Sequence, residues 1–143
     1  MKNTDKNANL HITAKIQNLD NLIDFTEKFM QKNGFDNKSI MQISIVAEEI
    51  FTNICNYGQL ADDDIIKIDA RMECDSKCVI CFADGGIAFN PLFQKEPDTH
   101  LPLNRRKEGG LGIYMIKQLT SKVNYKYENG MNILTIEKQK TEA

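Results

Sequence analysis

The chain has no apolar run approaching the roughly 18 residues of a membrane span, which excludes a transmembrane helix. Its opening residues, MKNTDKNANLHITAK, lack the apolar stretch of a secretory signal, and a cytoplasmic protein is expected. An excess of positive charge is missing too. Against 20 Asp and Glu stand 18 Lys and Arg, a formal net charge of −2, so binding to nucleic acid by counterion release has no basic face to act through. No segment repeats. Neither the P-loop pattern G-x-x-x-x-G-K-[ST] nor G-x-G-x-x-G after a strand occurs. The three prolines are confined to the irregular stretch from Pro91 to Glu108, and a loop of that length in a compact domain is more often functional than accidental. Cysteines number four. Cys78 and Cys81 fall in the apolar run KCVICFAD, where positions three apart on a strand face opposite sides and cannot easily hold one ion. Buried, reduced thiols are expected for them, for nearby Cys74 and for Cys55 in a helix, with metal the lesser reading.

What is present describes one domain over residues 1–143. At 143 residues, 41% hydrophobic and 27% charged, the chain can bury a modest but sufficient core. LHITAKIQ alternates Leu10, Ile12, Ala14 and Ile16 with polar residues, as a half-buried strand does, and disorder is expected before it to about Ala8. Leu19, Leu22, Ile23, Phe25 and Phe29 follow at helical spacing up to Asn33-Gly34. Asp36 is an N-cap for a second helix that runs to about Tyr57 and stops at Gly58. IIKIDARME is a strand with one wet face, and KCVICFA reads as a central strand. GGLGIYMIKQLTS is a glycine-rich lead into a short helix, and VNYKYENGMNILTIEK is a hairpin turning at Asn129-Gly130. The order β-α-α-β-β-loop-α-β-β predicts an α/β two-layer sandwich: a mixed, mostly antiparallel sheet with helices over one face.

Three stretches carry chemistry. In SIVAEEIFTNICNYG the apolar stripe of Ile43, Ala47, Ile50 and Ile54 is edged by Glu49, Asn53 and Tyr57, one every fourth residue. A solvated edge would account for Glu49. It would not account for Asn53, a mediocre helix former whose amide competes for backbone hydrogen bonds. In FADGGIAFNP an apolar strand ends on Asp84 followed by two glycines, a common turn or the rim of a small-molecule pocket. In EGGLGIYMIK, Gly109, Gly110 and Gly112 precede a helix whose N–H groups and dipole can face an anion.

In this order the three stretches resemble the N box and the two glycine boxes of the GHKL (Bergerat-fold) ATPases, the superfamily of gyrase, histidine kinases and anti-sigma-factor serine kinases. E-x-x-x-N falls at Glu49 and Asn53, D-x-G-x-x-F at Asp84, Gly86 and Phe89, and G-G-L-G-I-Y-M-I from Gly109. The likeness covers about Leu10 to Lys138 and is nearest to the small anti-sigma regulatory kinases. Neither His11 nor His100 suits the phosphoacceptor that a histidine kinase needs on a helix.

The resemblance implies ATP and Mg²⁺ as cofactors, with Asn53 ligating the metal, Glu49 as general base and Asp84 accepting from the adenine amino group. It implies that Gly86 lets the base approach and that Thr135 supports it, although Thr135 fits equally as a β-branched strand residue. Pro91–Glu108 would be the ATP lid, with Gly110 and Gly112 closing on the phosphates. Arg105 and Arg106 would either neutralise transition-state charge or stay solvated. Tyr57 would only shape the pocket, and Glu108 stands where several of these kinases have a basic residue. The implied function is an anti-sigma serine/threonine kinase acting on a small antagonist protein in a partner switch that also involves a sigma factor. A nucleotide-gated binding module without catalysis and a plain ATPase are the alternatives. A homodimer through a sheet edge is implied by analogy, with LHITAKIQ as the candidate edge.

Overall fold

The computed structural model describes residues 5–89 and 108–141, the first four of the latter by backbone only. Its elements are β1 (Asn7–Thr13), a 3₁₀ turn (Ile16–Asn18), α1 (Leu19–Lys32), α2 (Asn37–Tyr57), β2 (Ile65–Glu73), β3 (Lys77–Asp84), α3 (Glu108–Leu119), β4 (Lys122–Glu128) and β5 (Met131–Gln139). The strands form one sheet in the order β1-β2-β3-β5-β4, and every pairing in it is antiparallel. The expected parallel component is missing for a topological reason. Strands β3 and β4, on either side of α3, do run the same way, but β5 turns back and inserts between them.

One parity runs across the whole sheet. Ile12, Ile66, Ile68, Ala70, Ile80, Phe82, Leu134 and Ile136 point to the helices and are buried. Between them Lys67, Asp69 and Arg71 point the other way and are exposed. Helix α2 lays Ile40, Ile43, Ala47, Ile50 and Phe51 on this inner face. Each large apolar side chain buried there contributes about 1.5–3 kcal/mol, so the stripe anchors α2 along its length. Asp36 caps α2 by accepting a hydrogen bond from the Ser39 N–H at 2.8 Å, and the helix ends at Gly58.

Helix α3 lies antiparallel along α2. At one end Gly112 meets Glu49, and at the other Lys138 of β5 donates from Nζ to Gln42 Oε1 (2.8 Å) and to the Leu119 carbonyl (2.9 Å). The ammonium therefore caps the C-terminus of α3, where a positive charge is favoured. The hairpin of β4 and β5 turns at Asn129 (φ 54°) and Gly130 (φ 76°), the left-handed pair that a two-residue turn demands.

Several expectations shift. Strand β1 starts at Asn7, paired with Arg71, so order begins before the predicted Leu10, and Ile16 leaves the strand for the exposed 3₁₀ turn. Cys78 is buried, and its thiol is pushed up to about 12 by burial, whereas Cys74 is exposed on a turn. Cys81 lies on the opposite face from Cys78, as strand parity requires. No helix among the described residues is long and apolar enough to cross a membrane.

Candidate nucleotide site

A cleft of about 500 Å³, counting its open mouth, lies where the last turns of α2, the end of β3, α3 and the start of β5 converge. Its walls are apolar: Ile50 and Ile54 of α2, Ile116 of α3, Leu134 of β5 and, after β3, Ile87 and Phe89. Polar groups reach it from Asn53, Asp84, Tyr125 and Asn132. Flat apolar walls with a few fixed polar groups are what an aromatic heterocycle needs.

Asp84 is the cleft's charged residue and is 5% exposed. Its Oδ1 accepts from the Gly86 N–H at 2.9 Å and from Asn132 Nδ2 at 3.2 Å. Among the described residues Oδ2 accepts no hydrogen bond, so the protein fixes the carboxylate through one oxygen. Burial raises the Asp84 pKa above the ordinary carboxylate value, and the two hydrogen bonds partly offset it.

Gly86 is placed by close approach rather than by turn chemistry. A methyl group there would lie 2.4 Å from the Gly58 carbonyl oxygen, which already accepts the Ile87 N–H at 3.1 Å. The loop after β3 is thus pressed onto the end of α2, and that contact closes one side of the cleft. Gly86→Ala should push the loop off Gly58, costing roughly 1–3 kcal/mol of stability. Denaturant unfolding should show this loss, and calorimetry at least a tenfold weaker nucleotide complex.

Glu49 and Asn53 lie one turn apart on α2, and Glu49 is not among the residues that line the cleft. Asn53 lines it. The Glu49 carboxylate packs on the first half of α3: a methyl at Gly112 would sit 1.8 Å from Glu49 Oε1. Gly112 is therefore set by the carboxylate it touches. The glycines do not lead into α3, as expected from the sequence; Gly109, Gly110 and Gly112 are all inside it. Tyr57 is 38% exposed and is not part of the lining, whereas Gly58 is.

Thr135 is on the other side of the sheet. Its neighbours Leu134 and Ile136 point inward, so Thr135 faces outward and its hydroxyl meets the Cys81 thiol across the ladder. The polar β5 residue at the cleft is Asn132, three positions earlier and of opposite parity. Arg105, Arg106 and most of the predicted lid Pro91–Glu108 lie outside the described residues; Glu108 opens α3.

Asn132 and Tyr125 escaped the sequence reading. A signal for Asn132 existed: it holds an inward position in a strand that continues with Leu134 and Ile136, and asparagine is depleted in strands. Tyr125 gave none, since an aromatic in a strand is ordinary.

A helix-backed antiparallel sheet with a buried carboxylate in an apolar cleft is a small-molecule-binding arrangement of the α/β two-layer class. The chain belongs to the histidine kinase-like ATPase domain family, whose profile matches residues 12–138. That family implies ATP as the nucleotide. Among similar proteins is a serine-protein kinase RsbW of Bacillus mycoides, 28% identical over 105 residues, which are 71% of this chain and 65% of that protein. An RsbW of Bacillus cereus is 30% identical over 105 residues, with the same coverage of 71% and 65%. The matches thus span slightly less than two thirds of these relatives. A crystal structure of the RsbU and RsbW domains of a Mycobacterium tuberculosis protein superposes with a TM-score of 0.68 over 94% of this chain and 32% of that one. At 14% identity it bears on the fold alone.

Proposed function

We propose that the chain binds Mg-ATP in this cleft and transfers the γ-phosphate to a Ser or Thr of a small antagonist protein, as an anti-sigma regulator in a partner switch. The observation that carries the nucleotide half is Asp84, a buried carboxylate that lines an apolar slot and is held by the protein through one oxygen, leaving the other to the base in this reading. The exocyclic amino group of adenine is the matching donor, and the walls of Ile50, Ile54, Ile87 and Leu134 suit the rings.

The kinase half is supported by the order of groups along α2. From the base site the helix leads to Asn53 and then, one turn on, to Glu49. Asn53 offers a neutral amide oxygen to Mg²⁺, a cation that keeps most of its ligands from phosphates and water. Glu49 would take the proton from the acceptor hydroxyl as its oxygen bonds to the γ-phosphorus and ADP leaves. Gly110 and Gly112 of α3 would let backbone approach the phosphates. Arg105 and Arg106, in the segment 90–107, would neutralise their charge. The RsbW relatives, named serine-protein kinases, point to the same acceptor class. A sigma factor as alternative partner, a cytoplasmic location and a homodimer through β1, an edge strand of the sheet, belong to this reading.

The test is transfer of labelled phosphate from Mg-ATP to an antagonist protein encoded beside this chain, run next to Asn53→Ala. Labelling of a Ser or Thr, lost in the variant and in EDTA, supports the kinase. Tight Mg-ATP binding with no transfer would reduce the protein to a nucleotide-gated binding module. Steady phosphate release without an acceptor would make it an ATPase.

A further inference from the structure

Two polar groups of the cleft, Asn132 and Tyr125, take no part in the binding and transfer proposed above. Asn132 is 6% exposed and stands directly across the β3–β5 ladder from Asp84. Its Nδ2 donates to Asp84 Oδ1 (3.2 Å), to the Ile87 carbonyl (2.8 Å) and, more weakly, to the Gly86 carbonyl (3.3 Å). Its Oδ1 accepts from the Phe89 N–H at 3.0 Å and from the Tyr125 hydroxyl. An amide has two N–H donors and one oxygen with two lone pairs. Both halves are therefore engaged by the protein, and Asn132 has no hydrogen bond left to give a base.

Its effect must pass through Asp84. A carboxylate at a strand end can turn about two side-chain torsions, and a turned carboxylate presents a different oxygen to the cleft. The Gly86 N–H and Asn132 Nδ2 both bind Oδ1, so together they select one orientation. Tyr125 in turn fixes Asn132, because only the amide oxygen can accept its proton, and this sets which end of the side chain faces Asp84.

We propose that Asn132, braced by Tyr125, is a positioning residue for base selectivity: it holds Asp84 turned so that Oδ2 meets an amino group, and the cleft thereby admits 6-aminopurine over 6-oxopurine nucleotides. The inference rests on the nucleotide reading above. A 6-oxo group would set a carbonyl oxygen against the Oδ2 acceptor, and a buried acceptor without a donor is costly. With Asp84 free to turn, that penalty relaxes.

Asn132 also holds Ile87 and Phe89, two wall residues, and a wall-holding role alone would treat all purines alike. The two roles separate when ATP and inosine triphosphate, which differ at position 6 and its adjoining ring nitrogen, are titrated calorimetrically into wild type, Asn132→Ala and Tyr125→Phe. Wild type should prefer ATP on the order of 100-fold. In Asn132→Ala the preference should fall to about tenfold or less, mostly through weaker ATP binding. In Tyr125→Phe it should fall about threefold, with the melting temperature near wild type. Equal weakening of both nucleotides, with the preference intact in both variants, would overturn the inference and leave the nucleotide site standing. Failure of the wild type to bind either nucleotide would remove the site and the inference together. Should Asn132→Ala not fold, Tyr125→Phe decides.

Discussion

Asp84→Asn is expected to weaken Mg-ATP binding on the order of 100-fold while leaving the melting temperature unchanged or higher. The loss follows from replacing a charge-assisted acceptor, whose bonds are about twice as strong as neutral ones, by an amide that turns either a weaker acceptor or a donor toward the base. The gain follows from burial. Because the folded-state pKa of Asp84 lies above its unfolded value, the unfolded chain gives up this proton at lower pH than the folded chain. The resulting penalty is absent below the ordinary carboxylate range, grows as pH rises toward the raised folded value and is full above it. Asparagine keeps the acceptor for the Gly86 N–H and carries no such penalty. Binding in the wild type should run the other way with pH, falling as acid protonates Asp84 earlier than an ordinary aspartate. Calorimetry and thermal melts across pH would check both signs. A variant that loses stability and affinity together would mean that Asp84 is chiefly a structural anchor for the loop after β3.

Glu49→Gln should leave ATP affinity within a few-fold of wild type and lower phosphotransfer by ~10²–10⁴, the usual contribution of a general base. Glutamine is nearly isosteric, so the contact with Gly112 persists and α3 keeps its place. What disappears is the proton acceptor. Single-turnover transfer at saturating ATP isolates that step from binding. Transfer at the wild-type rate would remove Glu49 from the chemistry and leave its close packing on α3 as its task.

These two residues illustrate how differently the parts of the site could be read. Asn53 breaks a local rule as a poor helix former in mid-helix, while Glu49 and Asp84 stand out only by place, on the edge of a buried stripe and at the end of an apolar strand. Such departures are visible in one dimension because the periodicity around them is strong. Asn132 breaks a rule too, but it sits next to the Asn129-Gly130 turn, where a polar residue draws no notice. Thr135 looked suitable by type and failed by parity. A strand that shifts by one position exchanges its faces, and its relation to a site set by another strand follows from pairing register alone. Composition reads the glycines before Ile113 as a lead into the helix, yet they lie inside it, where Gly112 touches Glu49 and Ile113 and Ile116 pack on the core.

By itself the sequence determined the elements and their order, because hydrophobic period, the Asp36 cap and the Asn129-Gly130 turn act over a few residues and need no partner. It also determined which helix edge and which strand end carry polar groups out of place. Tertiary structure alone decided that β5 inserts between β3 and β4, and hence that Asn132 rather than Thr135 stands beside Asp84. It decided equally that Gly86 touches Gly58 and that Glu49 touches Gly112. Each of these is a contact between residues distant in the chain, fixed by register and packing density, and neither quantity is written in any local stretch.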